Sequence, residues 1–354
     1  MRHLYIHVPF CRRRCSYCDF SIAVRASVPE RQYVEAIRRE LEHVFPSAPD
    51  PLETIYFGGG TPSLLPPTGI ASVLEAIAIR RPVSDAAEIT LEANPEDVTA
   101  PAAAVWRAAG VNRISLGVQS FDDRVLQWMH RVHDGERPRT AVRTLRDAGF
   151  DNVSLDLIFA VPASLERDWG RDLESALALE PDHLSLYGLT IEPRTPLHRW
   201  IARGATSAPS DERYAEEYLE AHARLEAAGL SFYEVSNAAR GRRYSRHNRA
   251  YWMGDAYAGL GPAAHSFDGR VRRWNLSAWE AYRHSIAARG TAVESEEMLS
   301  EEQRVLERVY LGLRTDVGLS LADSGISRAA LAALVEQGWV VERSGHVKCT
   351  VEGW

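Results

Sequence analysis

Lysine is nearly missing from this chain of 354 residues: Lys348 stands alone, and the other 40 of its 41 basic side chains are arginine. With no lysine before position 348, a lysine Schiff base or a phosphate-binding P-loop lysine is excluded from most of the chain. Cysteine is scarce, with four in all, so a disulfide scaffold is excluded as well. A chain of this length buries roughly 75% of its unfolded surface and needs no such staples. No run of about 18 apolar residues occurs, so no membrane-spanning helix is expected. The segment Met1–Phe10 lacks the apolar stretch of a secretory signal, and a reducing cytoplasmic setting is the expectation. Positive charge is not in excess either. The net charge of -7 argues against a nucleic-acid partner.

A regular alternation fills the first 190 residues. Short β-rich runs (Leu4–Val8, Thr54–Phe57, Glu88–Leu91, Arg113–Gly117, Asn152–Phe159, His183–Tyr187) alternate with helical patterns at Glu30–Val44, Thr68–Ile79, Pro101–Ala109 and Pro138–Ala148. Gly110 and Gly149 follow two of these helices, where a C-terminal cap belongs. Such alternation predicts parallel βαβ units, in an open sheet or a partial barrel, with ligands at the C-terminal ends of the strands. A helix over Ser210–Ala228 and a strand over Ser231–Val235 follow. The periodicity then weakens. Three parts are expected: the α/β unit over 1–235, an arginine- and aromatic-rich connection over 236–299, and a C-terminal module over 300–354. In the last, helices at Glu301–Leu313 and Arg328–Gln337 precede a hairpin turning at Ser344-Gly345, an order that suggests a winged-helix-like α/β module.

Three of the cysteines fall together, in Cys11-Arg-Arg-Arg-Cys15-Ser-Tyr-Cys18, directly after the first strand. A cysteine cluster in a reducing compartment points to metal or catalysis. Structural zinc takes four closed ligands, and only three thiols stand here, unless His7 or Asp19 completes the set. Three thiolates hold three irons of a 4Fe–4S cube and leave the fourth open. An open iron can chelate the amino and carboxylate groups of S-adenosylmethionine, and an electron from the cluster then breaks the sulfonium bond.

Polar residues collect at the ends of the later strands. Gly58-Gly59-Gly60-Thr61-Pro62 lets backbone approach a ligand closely, with no Cβ in the way. Glu92 ends the third strand, Gln119 the fourth, Arg131 follows one helix later, and Asp156 lies within the fifth. Each alone reads equally well as a cap or a buried hydrogen bond. Their shared position favours a ligand site.

Taken together, Tyr5-Ile6-His7-Val8-Pro9-Phe10-Cys11, Cys15-Ser16-Tyr17-Cys18-Asp19-Phe20, GGGTPS, LEANP, LGVQSF and DLIFAVP resemble the oxygen-independent coproporphyrinogen III dehydrogenase family of the radical S-adenosylmethionine superfamily. The resemblance spans nearly the whole chain. It implies an incomplete (β/α)6 barrel, a 4Fe–4S cluster on Cys11, Cys15 and Cys18, and S-adenosylmethionine contacts at Tyr5, Tyr17, Gly59, Gly60, Thr61, Glu92, Gln119, Arg131 and Asp156. One departure lies after the fifth strand, where Ala160-Val161-Pro162 stands for the family's Gly-Leu-Pro.

Two features separate the branches of that family. The dehydrogenases carry a long extension before the cluster and a further cysteine two residues after the third. Here the cluster starts at Cys11, and Phe20 occupies that cysteine's position. Both features resemble the HemW-type heme chaperone branch, as does His247-Asn248-Arg249-Ala250-Tyr251-Trp252. In that segment His247 offers an axial ligand for heme iron, Tyr251 and Trp252 offer flat apolar faces, and Arg240, Arg242, Arg243, Arg246 and Arg249 offer partners for propionates. The expected function is heme binding and delivery to an acceptor such as a respiratory hemoprotein. An electron donor of the flavodoxin kind serves the cluster, and membranes are approached only through partners. No residue is assigned a catalytic role. Two alternatives stand: oxidative decarboxylation of coproporphyrinogen III, and a radical reaction on an unrelated substrate.

Overall fold

The computed structural model describes residues 1–44 and 50–354. Six parallel strands form its centre: β1 (His3–Val8), β2 (Leu52–Gly59), β3 (Val83–Ala93), β4 (Arg113–Gln119), β5 (Val153–Phe159) and β6 (His183–Gly188). They pair in chain order, as Leu4 with Ile55, Phe57 with Leu91, Leu116 with Leu155 and Leu186 with Leu157 show. β1 and β5 are buried along nearly their whole length, so the polar residues that alternate along them have hydrogen-bond partners: His3 faces Thr54, Tyr5 faces His7, Ser154 faces His183 and Asp156 accepts from Ser115.

The helices between the strands cover the sheet through one apolar stripe each. The helix Glu30–Val44 buries Tyr33, Ala36, Ile37, Glu40 and Leu41, the i, i+3, i+4, i+7, i+8 positions of one face. Glu40 is the polar member of that stripe. It accepts hydrogen bonds from Tyr282 Oη at 2.6 Å and the Gly261 amide at 2.8 Å, and burial pushes its carboxyl up to about 7. The N-terminal helix is thereby tied to a segment more than 220 residues away.

That distant segment extends the sheet. The hairpin β7 (Leu230–Glu234) and β8 (Asn237–Arg240) adds antiparallel to β6. β9 (Tyr257–Leu260) pairs parallel with β1, and β10 (His265–Phe267), β11 (Val271–Asn275) and β12 (Val293–Met298) follow antiparallel. The order across the twelve strands is β12-β11-β10-β9-β1-β2-β3-β4-β5-β6-β8-β7. The outer strands β12 and β7 do not pair with each other, so the barrel stays open. Residues 236–299 thus carry five strands where a connection was expected. These strands have three to six residues and find partners by long-range contact, so no local periodicity announces them.

The C-terminal module runs helix Glu301–Gly312, β13 (Leu319–Ser320), helices Leu321–Ser324 and Arg328–Glu336, then β14 (Val340–Arg343) and β15 (His346–Cys349). Ser300 opens the first helix with a reciprocal capping box to Gln303. The hairpin turns at Ser344 and Gly345, both at positive φ (50° and 76°), as a two-residue type I′ turn requires. β13 completes a three-stranded wing against β15.

Candidate cluster and cofactor site

A cavity of about 1020 Å³ opens where the six central strands end, and Cys11, Cys15 and Cys18 line it. The local fold explains their convergence. Phe10–Cys11 pairs with Ala23–Val24 and folds the loop between them over the strand ends. The Ser16 amide donates to the Met129 carbonyl, and the Ser16 carbonyl accepts from the Leu197 amide, so the loop is pinned at its middle. Cys11 is buried and the other two are half-buried; all three are free thiols. Burial pushes the Cys11 thiol up, and that of Cys18 up to about 11.

A short polar chain joins two of the sulfurs. Thr61 Oγ1 donates to Cys11 Sγ at 3.4 Å, and Asn94 Nδ2 reaches Thr61 Oγ1 at 3.5 Å. Asn94 Oδ1 accepts from Arg131 Nη2 at 2.6 Å, and Arg131 Nη1 donates to Cys15 Sγ at 3.7 Å. Among the described residues, no three His, Cys, Asp or Glu side chains close round a single metal ion. A zinc site needs its sulfurs about 2.3 Å from one centre. His7 gives no fourth ligand, since its Nε2 faces the Ser21 carbonyl at 3.1 Å and its Nδ1 the Tyr5 hydroxyl at 3.1 Å. Three thiols spread round a roomy cavity suit a multi-iron group better than one ion.

The glycine turn is required by crowding. A Cβ on Gly59 would lie 2.6 Å from the His7 ring, and the residue sits at φ 113°. A Cβ on Gly60 would lie 2.8 Å from the Pro9 backbone. Glu92 stands beside this turn. Its Oε2 accepts from the Gly59 amide at 3.1 Å and its Oε1 from the Tyr56 hydroxyl at 2.8 Å. Burial, with the Asp156 carboxylate nearby, pushes the Glu92 carboxyl up to about 7. A buried carboxylate held in this state is suited to a cationic ligand such as an ammonium group. Asp156 also faces the cavity, held by Ser115 Oγ at 3.0 Å, and burial raises its carboxyl too. Gln119, at φ 68°, and Arg131 line the same space, as do Tyr17 and Thr61.

Two of the expected residues lie away from the cavity lining. Tyr5 is not among the residues lining the cavity; it lies beneath, stacked on Tyr56 with ring centroids 6.2 Å apart, and its hydroxyl supports His7. His247 is fully buried at the opposite, N-terminal end of the strands. Its Nδ1 faces Thr54 Oγ1 at 2.7 Å and its Nε2 the Tyr251 hydroxyl at 2.8 Å, so both ring nitrogens are occupied. Burial lowers its pKa to about 3. It closes the barrel floor and presents no nitrogen to an iron. The arginines around it are also engaged: Arg240 donates to the Ala228 carbonyl, Arg243 pairs with Asp151, Arg246 donates to the Ala86 carbonyl, and Arg249 lies over the Tyr244 ring.

The sequence left several cavity residues unassigned. Asn94, in the middle of the polar chain, lies inside the LEANP run, where no local signal marks it. Val351 and Trp354 form part of the wall, with Trp354 Nε1 donating to the Leu313 carbonyl at 3.0 Å. No local pattern predicts that contact. The alanine at position 160 keeps the left-handed backbone (φ 56°) that a glycine there would take freely.

The sequence profile of the Radical SAM superfamily matches residues 5–176. The protein named heme chaperone HemW from Bacillus subtilis (strain 168) is 34% identical over 364 residues, covering 100% of this chain and 96% of that protein. The chain belongs to the HemW family. A HemW from Mycobacterium tuberculosis (strain ATCC 25618 / H37Rv) is 38% identical over 337 residues, covering 94% of this chain and 86% of its own. The Escherichia coli coproporphyrinogen III oxidase HemN, a radical SAM enzyme, superimposes with a TM-score of 0.84 at 23% identity, covering 99% of this chain and 86% of that one. That likeness fixes the HemN-type fold for this HemW member. Membership in the superfamily brings with it a 4Fe–4S cluster and S-adenosylmethionine, and the thiols, the glycine turn and Glu92 fit both.

Proposed function

We propose that this chain is a cytoplasmic heme chaperone, which binds heme beside a cluster-and-cofactor site and hands it to an acceptor protein. Cys11, Cys15 and Cys18 hold the 4Fe–4S cluster. Gly59, Gly60, Thr61, Glu92, Gln119, Arg131 and Asp156 hold S-adenosylmethionine, with Tyr17 packed against the loop and Tyr5 supporting the turn from below. When bound, the cluster supplies a one-electron reductant for the sulfonium of the cofactor. Glu92 binds the cofactor's ammonium, and Arg131 sets the charge beside Cys15. A small electron carrier such as a flavodoxin serves the cluster. The acceptor is a hemoprotein, such as a respiratory one. No helix among the described residues is long and apolar enough to cross a membrane, and membrane contact comes through such partners.

The observation that carries this reading is Phe20. It stands where the dehydrogenase branch has a further cysteine, and it opens onto the cavity with 61% of its surface exposed. An apolar ring at the mouth suits a porphyrin face and supplies no thiol. The test is heme titration of the anaerobically reconstituted protein, followed by mixing with an apo-hemoprotein. Saturable binding of one equivalent and movement of the Soret band to the acceptor support the reading. No saturable binding overturns it.

A further inference from the structure

Resting on that reading, we infer that heme binds at the mouth of the cysteine-lined cavity, with His130 as its iron ligand and Arg13 as partner to a propionate. The buried ring of His247 has both nitrogens occupied. With that ring engaged, the candidate ligand is an imidazole that lines the cysteine cavity.

His130 is that imidazole. It follows the short helix Asp123–Trp128 and the turn residue Met129, and its φ is 60°. Its amide donates to the Gln127 carbonyl and the next amide, of Arg131, to the Leu126 carbonyl. This is a helix-ending motif whose left-handed position glycine fills without strain. A histidine there serves no backbone purpose, and strained non-glycine residues collect at ligand sites. The left-handed step turns the side chain outward, exposed and lining the cavity. The Trp200 ring meets it edge-on, with centroids 5.3 Å apart, and leaves the imidazole without a hydrogen-bond partner among the described residues.

The surroundings fit a porphyrin. Phe20, Val132 and Tyr187 are exposed by 61%, 51% and 45%, and all three line this one cavity. Large apolar side chains left open together mark a binding surface for a flat apolar ligand. Arg13 lines the same mouth, is exposed, and has no ion pair or hydrogen bond among the described residues. A free guanidinium beside an apolar shelf matches a carboxylate at a porphyrin edge.

Hemin is titrated into the full-length reconstituted protein and into His130→Ala, Arg13→Gln and His247→Ala, following the Soret band. Loss of the imidazole in His130→Ala should shift the Soret band and weaken binding by roughly tenfold or more. Added free imidazole should restore the band position, a rescue that a merely structural residue would not show. Arg13→Gln should weaken binding by about threefold to tenfold with the band unmoved. His247→Ala, where it folds, should keep the wild-type band; where it does not, the His130→Ala result decides alone. A His130→Ala protein with wild-type band and affinity overturns the inference and leaves the chaperone reading standing. A wild-type protein that binds no hemin overturns that reading and the inference with it.

Discussion

The guanidinium of Arg131 reaches the sulfur of Cys15 at 3.7 Å, across 116 residues of chain. The same guanidinium is fixed by the Asn94 side chain and by the Gly117 carbonyl at 2.8 Å, so β3 and β4 together aim it at the cysteine loop. A fixed cation beside thiolates stabilises their charge, and net charge around a cluster sets its potential.

Arg131→Met keeps the volume and removes the charge. The variant should still load iron on the three cysteines, but with a lower reduction potential and faster bleaching in air. An EPR-monitored redox titration reads the first effect and visible absorbance the second. An unchanged potential would mean that Arg131 only holds Asn94.

Glu92 predicts a pH dependence. Its carboxyl ionises near 7, well above the ordinary carboxylate range, because burial disfavours the charge. A cationic ligand prefers the ionised form. Affinity for S-adenosylmethionine should therefore rise with pH through 7 and level off above it, changing by up to about tenfold per unit below that point. Glu92→Gln should bind more weakly and lose the dependence between pH 6 and 8. For folding the sign is opposite: burial raises this carboxyl from 4.5 to about 7, so stability falls as pH rises between those values and the full cost is present above 7. Glu92→Gln should thus stabilise the ligand-free protein at pH 8, by at most about 3 kcal/mol. Isothermal titration and thermal melts check the two halves.

Gly59→Ala should be costly. The new Cβ meets the buried His7 ring, and φ 113° strains any side chain. Strain and clash together predict a loss of about 2 kcal/mol or more, visible as a lower melting temperature. Gly149→Ala is the control: it shares a positive φ (86°), but its Cβ meets nothing within 4 Å. It should lose only the strain energy, about 1 kcal/mol.

His247→Ala should reduce stability and spare the cavity. It leaves a buried void and removes one of the two partners of the Thr54 hydroxyl and the partner of the Tyr251 hydroxyl, at a combined cost of about 2–4 kcal/mol. Iron content after reconstitution should match wild type when measured well below the melting temperature. Loss of the cluster in a folded His247→Ala protein would contradict the separation of floor from mouth.

Much of the barrel is legible because its strands are short β-rich runs separated by amphipathic helices. The helix Glu30–Val44 was placed to the residue by its stripe and the cysteine loop by its spacing. What failed was long-range. β9 pairs with β1 across about 250 residues, and nothing in Tyr257–Leu260 alone announces a parallel partner at Leu4. The surroundings of His247 are hidden in the sequence for the same reason. A histidine beside Tyr251, Trp252 and five arginines resembles a ligand site in one dimension; only the fold brings Thr54 to its second nitrogen. Nothing in the sequence marks out His130, because its left-handed backbone and its neighbour Trp200 are facts of three dimensions.

The most direct test of the central claim is porphyrin analysis after anaerobic incubation of the reconstituted protein with coproporphyrinogen III, S-adenosylmethionine and a reductant. A chaperone with Phe20 in place of a further cysteine should return coproporphyrinogen III unchanged. Accumulation of protoporphyrinogen IX over many turnovers would contradict the account and make the chain a decarboxylase.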